Sequence, residues 1–148
     1  MIYPVELSLT VRPVYKIDPP MINLGVNNNL NSVTLTSTTK FDFCFSTHTT
    51  SEISVELVNK TNNDPDTAVV IEHLSFFGIA DPKFIWAGLY HPIYPEPWAT
   101  EQKNQNIILA EELKCHDYLG WNGIWRLQFE VPVFTWMHKI QDLGWIYK

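Results

Sequence analysis

The sequence predicts an all-β fold: an antiparallel β-sandwich of jelly-roll type with a short C-terminal helix. Three observations lead there. Apolar and polar residues alternate with period two in several separate segments, those segments are rich in β-branched and aromatic residues, and polar turns with Pro, Asn, Asp, Ser and Thr divide them. A strand with one buried face needs that alternation, because successive side chains leave opposite faces. Many short strands of this kind bury their apolar sides as two packed sheets.

The elements follow in order. Val5, Leu7, Leu9 and Val11 alternate with Glu6, Ser8 and Thr10 in a first strand, which Pro13 and the Pro19-Pro20 pair end. Asn27-Asn28-Asn29 reads as a loop, since Asn tolerates positive φ. A Thr-rich strand from Ser32 to Ser37 precedes a stronger one, in which Phe41, Phe43 and Phe45 face one way and Asp42, Cys44 and Ser46 the other. Ile53, Val55 and Leu57 repeat the pattern, so these strands form an antiparallel meander. From Thr67 to Ile79 the apolar phase changes near Glu72 and His73, which predicts a bulge or a strand covered on both faces, and a central position in the sheet. Glu101 to Leu113 is ambiguous and has room for a helical turn. Trp125, Leu127, Phe129 and Val131 alternate in a last strand that Pro132 closes. Trp136, Ile140 and Leu143 then sit at helical spacing, with Gly144 as the residue just past the helix end.

With 148 residues the chain has the size of one domain, residues 1–148, able to bury roughly 70% of its unfolded surface. A hydrophobic fraction of 45% against 18% charged excludes a disordered tail. The net charge is −6 and the 10 basic residues are scattered from Arg12 to Lys148, so no footprint for a phosphate backbone exists and nucleic-acid binding is not expected. No window approaches eighteen apolar residues, so a membrane span is not expected either. The first residues, MIYPVELSLTVRPVY, have neither a basic start nor an unbroken apolar run, so a signal peptide is not expected and synthesis in a cytoplasm is. Cys44 and Cys115 make no metal or redox motif and are expected to be two buried, unpaired thiols.

Aromatic density is the strongest binding signal. Trp86, Tyr90, Tyr94 and Trp98 recur every four residues through a loop stiffened by Pro92, Pro95 and Pro97, and Trp121 sits in a turn between Gly120 and Gly123. Flat rings on a stiff backbone, with Asn, Asp and Glu nearby, suit sugars, whose C–H faces stack while their hydroxyls hydrogen-bond. The alternative is that these rings lid one end of the core or pack against a neighbouring subunit. Trp125 belongs to the core.

Catalysis is not expected. Glu111 and Glu112 are adjacent and diverge on either a helix or a strand, and the separation of Glu96 and Glu101 is not set by the sequence. His48, His73, His91, His116 and His138 lack metal-ligand spacing, and no nucleophile, phosphate-loop or dinucleotide motif is present. No cofactor is therefore expected. The turn Asn59, Asn62, Asn63, Asp64, Asp66 supplies oxygen ligands of the kind calcium takes, although these are equally the residues of an ordinary turn.

That turn carries a family resemblance. The segment LVNKTNNDPDTAVVIEHLSFFGI, Leu57 to Ile79, resembles the equivalent stretch of calcium-dependent xylan-binding carbohydrate-binding modules. There, a strand ending in Phe-Thr-Asn-Asp precedes Asp-Arg-Asn and a strand ending in Val-Asn-Gly. Leu57, Asn59, Asp66, Ile71, Glu72, Leu74, Phe76 and Gly78 fit that pattern, whereas Lys60 stands where the pattern has an Asp and Ala68 where it has an Asn. The resemblance implies the sandwich fold; an ammonium at a hard-cation site would repel the ion, so no metal is expected.

A second resemblance covers Pro82 to Gln102, PKFIWAGLYHPIYPEPWATEQ, and Tyr118 to Lys148. Both are similar in texture to small proteins of tailed phages that infect marine cyanobacteria, which implies a virion or phage-encoded accessory protein. The leading expectation is thus a non-catalytic structural or decorating protein of the virion, its partners other virion proteins or its own copies. The alternative is a glycan-binding module for host-surface attachment, with Trp86, Tyr90, Tyr94, Trp98 and Trp121 as stacking residues. A glycoside-active enzyme is the third, and it needs two carboxylates converging in a cleft.

Overall fold

Alternation in the sequence becomes two facing antiparallel sheets in the computed structural model, which describes residues 1–61 and 63–141. The first sheet contains β1 (Tyr3–Val14), β4 (Thr39–Thr47), β6 (Ala68–Phe76), β7 (Ile79–Ala80) and β10 (Tyr118–Leu119), in the order β10-β6-β1-β4 with β7 paired to β6. The second contains β2 (Met21–Val26), β3 (Asn29–Thr34), β5 (Ser51–Leu57), β8 (Leu89–Pro92), β9 (Leu113–Lys114) and β11 (Gly123–Phe129), in the order β3-β2-β5-β11-β8-β9. Three short helices complete the described chain: α1 (Pro82–Trp86), α2 (Trp98–Asn104) and α3 (Val133–Gln141).

The inward phases are those the sequence marks. Val5, Leu7, Leu9 and Val11 of β1, Ile53, Val55 and Leu57 of β5, and Trp125, Leu127 and Phe129 of β11 are all buried in one core between the sheets. Phe41, Phe43 and Phe45 share the face of Leu9, Leu7 and Val5, opposite which they pair, but β4 is the edge of its sheet and they are only half covered. The phase change in β6 is a bulge: Thr10 pairs with His73 and Val11 with Ile71, leaving Glu72 as the extra residue. Its carboxylate turns outward and accepts from Arg12 Nε at 2.6 Å. The strand is also central, between β1 and β10.

Several expectations are corrected. The Thr-rich strand starts earlier, at Asn29, because Asn27, with φ 55°, makes a two-residue hairpin turn with Asn28. The stretch from Trp86 to Trp98 is no continuous loop: Trp86 ends α1, and β8 follows. The helical turn that Glu101 to Leu113 has room for is present, as the last part of α2 (Trp98–Asn104). Both cysteines are exposed, Cys44 on the outward phase of β4 and Cys115 in a turn with φ 53°. The C-terminal helix begins at Val133, and Leu143, Gly144 and Trp145 lie outside the described residues. No helix among the described residues is long and apolar enough to cross a membrane.

One end of the sandwich is closed by helices. Phe84 of α1 and Trp136 of α3 pack on Phe76 with ring centroids 5.6 and 5.3 Å away, and Phe129 lies 5.1 Å from Phe76. Asp81 caps α1 by accepting from Lys83 N at 2.9 Å, and accepts from Gln141 Nε2 of α3 at 3.0 Å. The other end carries loops, and there the candidate site lies.

Candidate functional site

Three of the five sequence-marked rings converge at the loop end. Tyr94 follows β8, Trp98 opens α2, and Trp121 sits in the turn before β11. Trp98 and Trp121 stack with centroids 6.2 Å apart and planes 29° from parallel; Tyr94 meets Trp121 edge-on at 5.1 Å and Trp98 at 6.0 Å. All three are half-buried, so each packs on its neighbours and still offers ring surface.

Local sequence explains why they meet. β8 and β11 pair antiparallel with Pro92 opposite Gly123, so the residues just beyond that pair, Tyr94 and Trp121, leave the sheet at the same end. The backbones approach closely here: at Gly123, with φ 147°, a Cβ would lie 2.3 Å from His91 O. Asn122 O accepts from Ile93 N at 2.6 Å, continuing the pairing past the strand ends.

Tyr90 is corrected. It pairs with Trp125 inside the sheet and is fully buried, so its ring is not available to a ligand. Its hydroxyl donates to Trp121 O and accepts from Trp121 N at 3.1 Å. Burial pushes the phenol pKa up to about 12. Tyr90 is thus a support beneath Trp121. Trp86 is 47% exposed but precedes β8, whereas Tyr94 follows it, so the length of that strand separates it from the three rings.

Beside the rings a cleft of about 710 Å³ opens between α2 and the segment that follows it, lined by Ala99, Lys103, Asn106, Ile107, Leu109 and Glu111 among others. Two links join it to the rings: Ala99 follows Trp98, and Ala110 O accepts from Tyr94 OH at 2.6 Å. Its size lies in the range of small-ligand pockets, and it mixes apolar side chains with an ammonium, an amide and a carboxylate. The sequence gives no hint of this cleft, because its two walls come from a segment with no clear periodicity.

The acidic turn has a structural role. Asp64 is buried, and its Oδ2 accepts from three successive backbone N–H groups, Lys16 at 2.9, Ile17 at 2.7 and Asp18 at 2.9 Å, while Oδ1 accepts from Asp66 N at 3.2 Å. These N–H groups hold its pKa well below the usual carboxylate value. Asp66 pairs with Lys16 at 3.0 Å. The ammonium of Lys60 donates to Gly120 O.

No protein-family model matches the chain, and no curated protein matches it. Two solved structures share the fold. One is the carbohydrate-binding module vCBM60 in complex with galactobiose, at 17% identity and a TM-score of 0.50, covering 84% of this chain and 97% of that one. The other is the selenomethionine form of vCBM60, from work linking two families of calcium-dependent carbohydrate-binding modules by circular permutation, at 16% identity and a TM-score of 0.51, covering 83% and 89%. The fold is thus that of a carbohydrate-binding-module β-sandwich.

Calcium does not fit the residues present. Both Asp64 oxygens are taken by backbone N–H groups, Asp66 faces Lys16, and Lys60 brings an ammonium to the same loops. Among the described residues no group of three or more His, Cys, Asp or Glu side chains is placed to hold a metal ion.

Proposed function

We propose that this protein is a non-catalytic glycan-binding module whose contact surface is the ring cluster Tyr94, Trp98 and Trp121. The carrying observation is that cluster itself: three half-exposed rings, stacked and edge-on, beside a cleft bearing Lys103, Asn106 and Glu111. Ring faces take the C–H side of a sugar, and the cleft groups take its hydroxyls. The shared fold supports this reading, since the matched module is solved with galactobiose. It therefore moves ahead of the structural-protein reading that the sequence favoured.

A glycan array followed by calorimetry tests it. The intact protein binds an oligosaccharide, and Trp98→Ala or Trp121→Ala weakens binding about tenfold or more while the protein stays folded. Unchanged affinity in both variants would sink the reading. A place on a virion rests on the sequence resemblance at Pro82 to Gln102 and Tyr118 to Lys148; we propose it as the location where such a module would serve attachment. Mass spectrometry of purified virions finds the chain at fixed stoichiometry if that location is right.

A further inference from the structure

At the loop end Trp121 is fixed from several sides. Lys60 Nζ donates to Gly120 O, just before it. Lys60 N donates to Asn122 Oδ1 at 2.8 Å, and Asn122 Nδ2 donates back to Lys60 O at 2.9 Å, just after it. Tyr90 OH bonds both N and O of Trp121 itself. Residues 120 to 122 are therefore clamped at each position, and residue 60 serves two of the three: Gly120 through the lysine ammonium and Asn122 through the backbone.

Burial disfavours the Lys60 ammonium and lowers its pKa, and the charges of Asp66 and Asp64 partly offset that. Both carboxylates near it are engaged elsewhere: Asp64 accepts from four backbone N–H groups and Asp66 pairs with Lys16. The ammonium's donor bond to the Gly120 carbonyl fixes where that positive charge sits.

We infer that Lys60 is a built-in cation that positions Trp121 for ligand contact, so that this sandwich presents its ring cluster without calcium. The inference rests on the glycan-binding reading for the use of Trp121, and its geometric content stands apart from any sugar. Lys60 is thus a positioning residue: it bonds the chain on both sides of Trp121 and so sets where that ring stands.

The test needs no glycan, so its failure is distinct from failure of the sugar reading. Stacked indoles give an exciton couplet in far-ultraviolet circular dichroism, and the Trp98–Trp121 pair is its expected source. The wild-type couplet and melting temperature stay the same in calcium and in chelator. Lys60→Met loses most of the couplet and melts about 5 °C lower, and calcium restores neither. Asp81→Ala, at the helical end, lowers the melt but keeps the couplet.

A wild-type melt that rises with calcium or falls with chelator would overturn the inference, even if Lys60→Met fails to fold. So would an unchanged couplet in folded Lys60→Met, recovery of that couplet by calcium, or equal loss of it in Asp81→Ala.

Discussion

The two ends of this sandwich are both aromatic, and they use their rings in opposite ways. At the helical end, Phe76, Phe84, Phe129 and Trp136 pack edge-on or tilted and are buried, held by apolar contact beneath α1 and α3. At the loop end, Tyr94, Trp98 and Trp121 are half-exposed, and the backbone below Trp121 is held by hydrogen bonds from Tyr90, Lys60 and Asn122. Burial stabilises the first cluster; a polar frame positions the second. Ring density alone does not tell a core from a contact surface, whereas the kind of support does.

Substitutions in the two ends should therefore separate stability from binding. The largest effect on stability belongs to the helical end: Phe76→Ala should cost about 3–5 kcal/mol in urea unfolding, since it leaves a cavity among three rings. At the loop end, Trp121→Ala should cost less than about 2 kcal/mol in the same assay while weakening oligosaccharide binding about tenfold or more in calorimetry. Tyr90→Phe, which removes two hydrogen bonds to Trp121, should cost about 1–2 kcal/mol and weaken binding less than loss of the ring itself.

Acid should act through the turn that Asp64 holds. Asp64 titrates below its ordinary value of 3.8, so its contribution to stability is fully present above that pH and is lost as pH falls through 3.8 and below the depressed folded value. Asp64→Asn should be less stable at neutral pH and should lose less stability on acidification, as read from melting temperatures across that window. Asp81, also held down by the Lys83 N–H, leaves a smaller acid dependence in the variant. The smallest effect is Asp81→Ala, about 1 kcal/mol with sugar affinity unchanged.

Strand phases were legible because burial imposes a period of two: Val5 to Val11, Ile53 to Leu57 and Trp125 to Phe129 all point where alternation places them. Even the bulge at Glu72 announces itself, as a break in that period. The site was partly legible. Aromatic spacing singles out Tyr94 and Trp98, and the turn between Gly120 and Gly123 singles out Trp121, but the same spacing takes in Trp86 and Tyr90, because spacing along a segment says nothing of the strand β8 that turns Tyr90 inward and separates Trp86 from the cluster. Residue type marks Lys60 and Asp64 only as parts of a turn ill-suited to a metal, since their partners, Gly120 and Lys16 to Asp18, lie far away in sequence and are reached through backbone groups that no residue type reveals.

A sugar-binding surface formed by the loop-end rings has a direct signature in solution. Calorimetric titration of galactose- or xylose-based oligosaccharides into wild type, Trp121→Ala and Phe84→Leu tests it most directly. Sugar bound by wild type and Phe84→Leu alike, with affinity lost in Trp121→Ala, is the predicted result. Equal affinity in wild type and Trp121→Ala would contradict it.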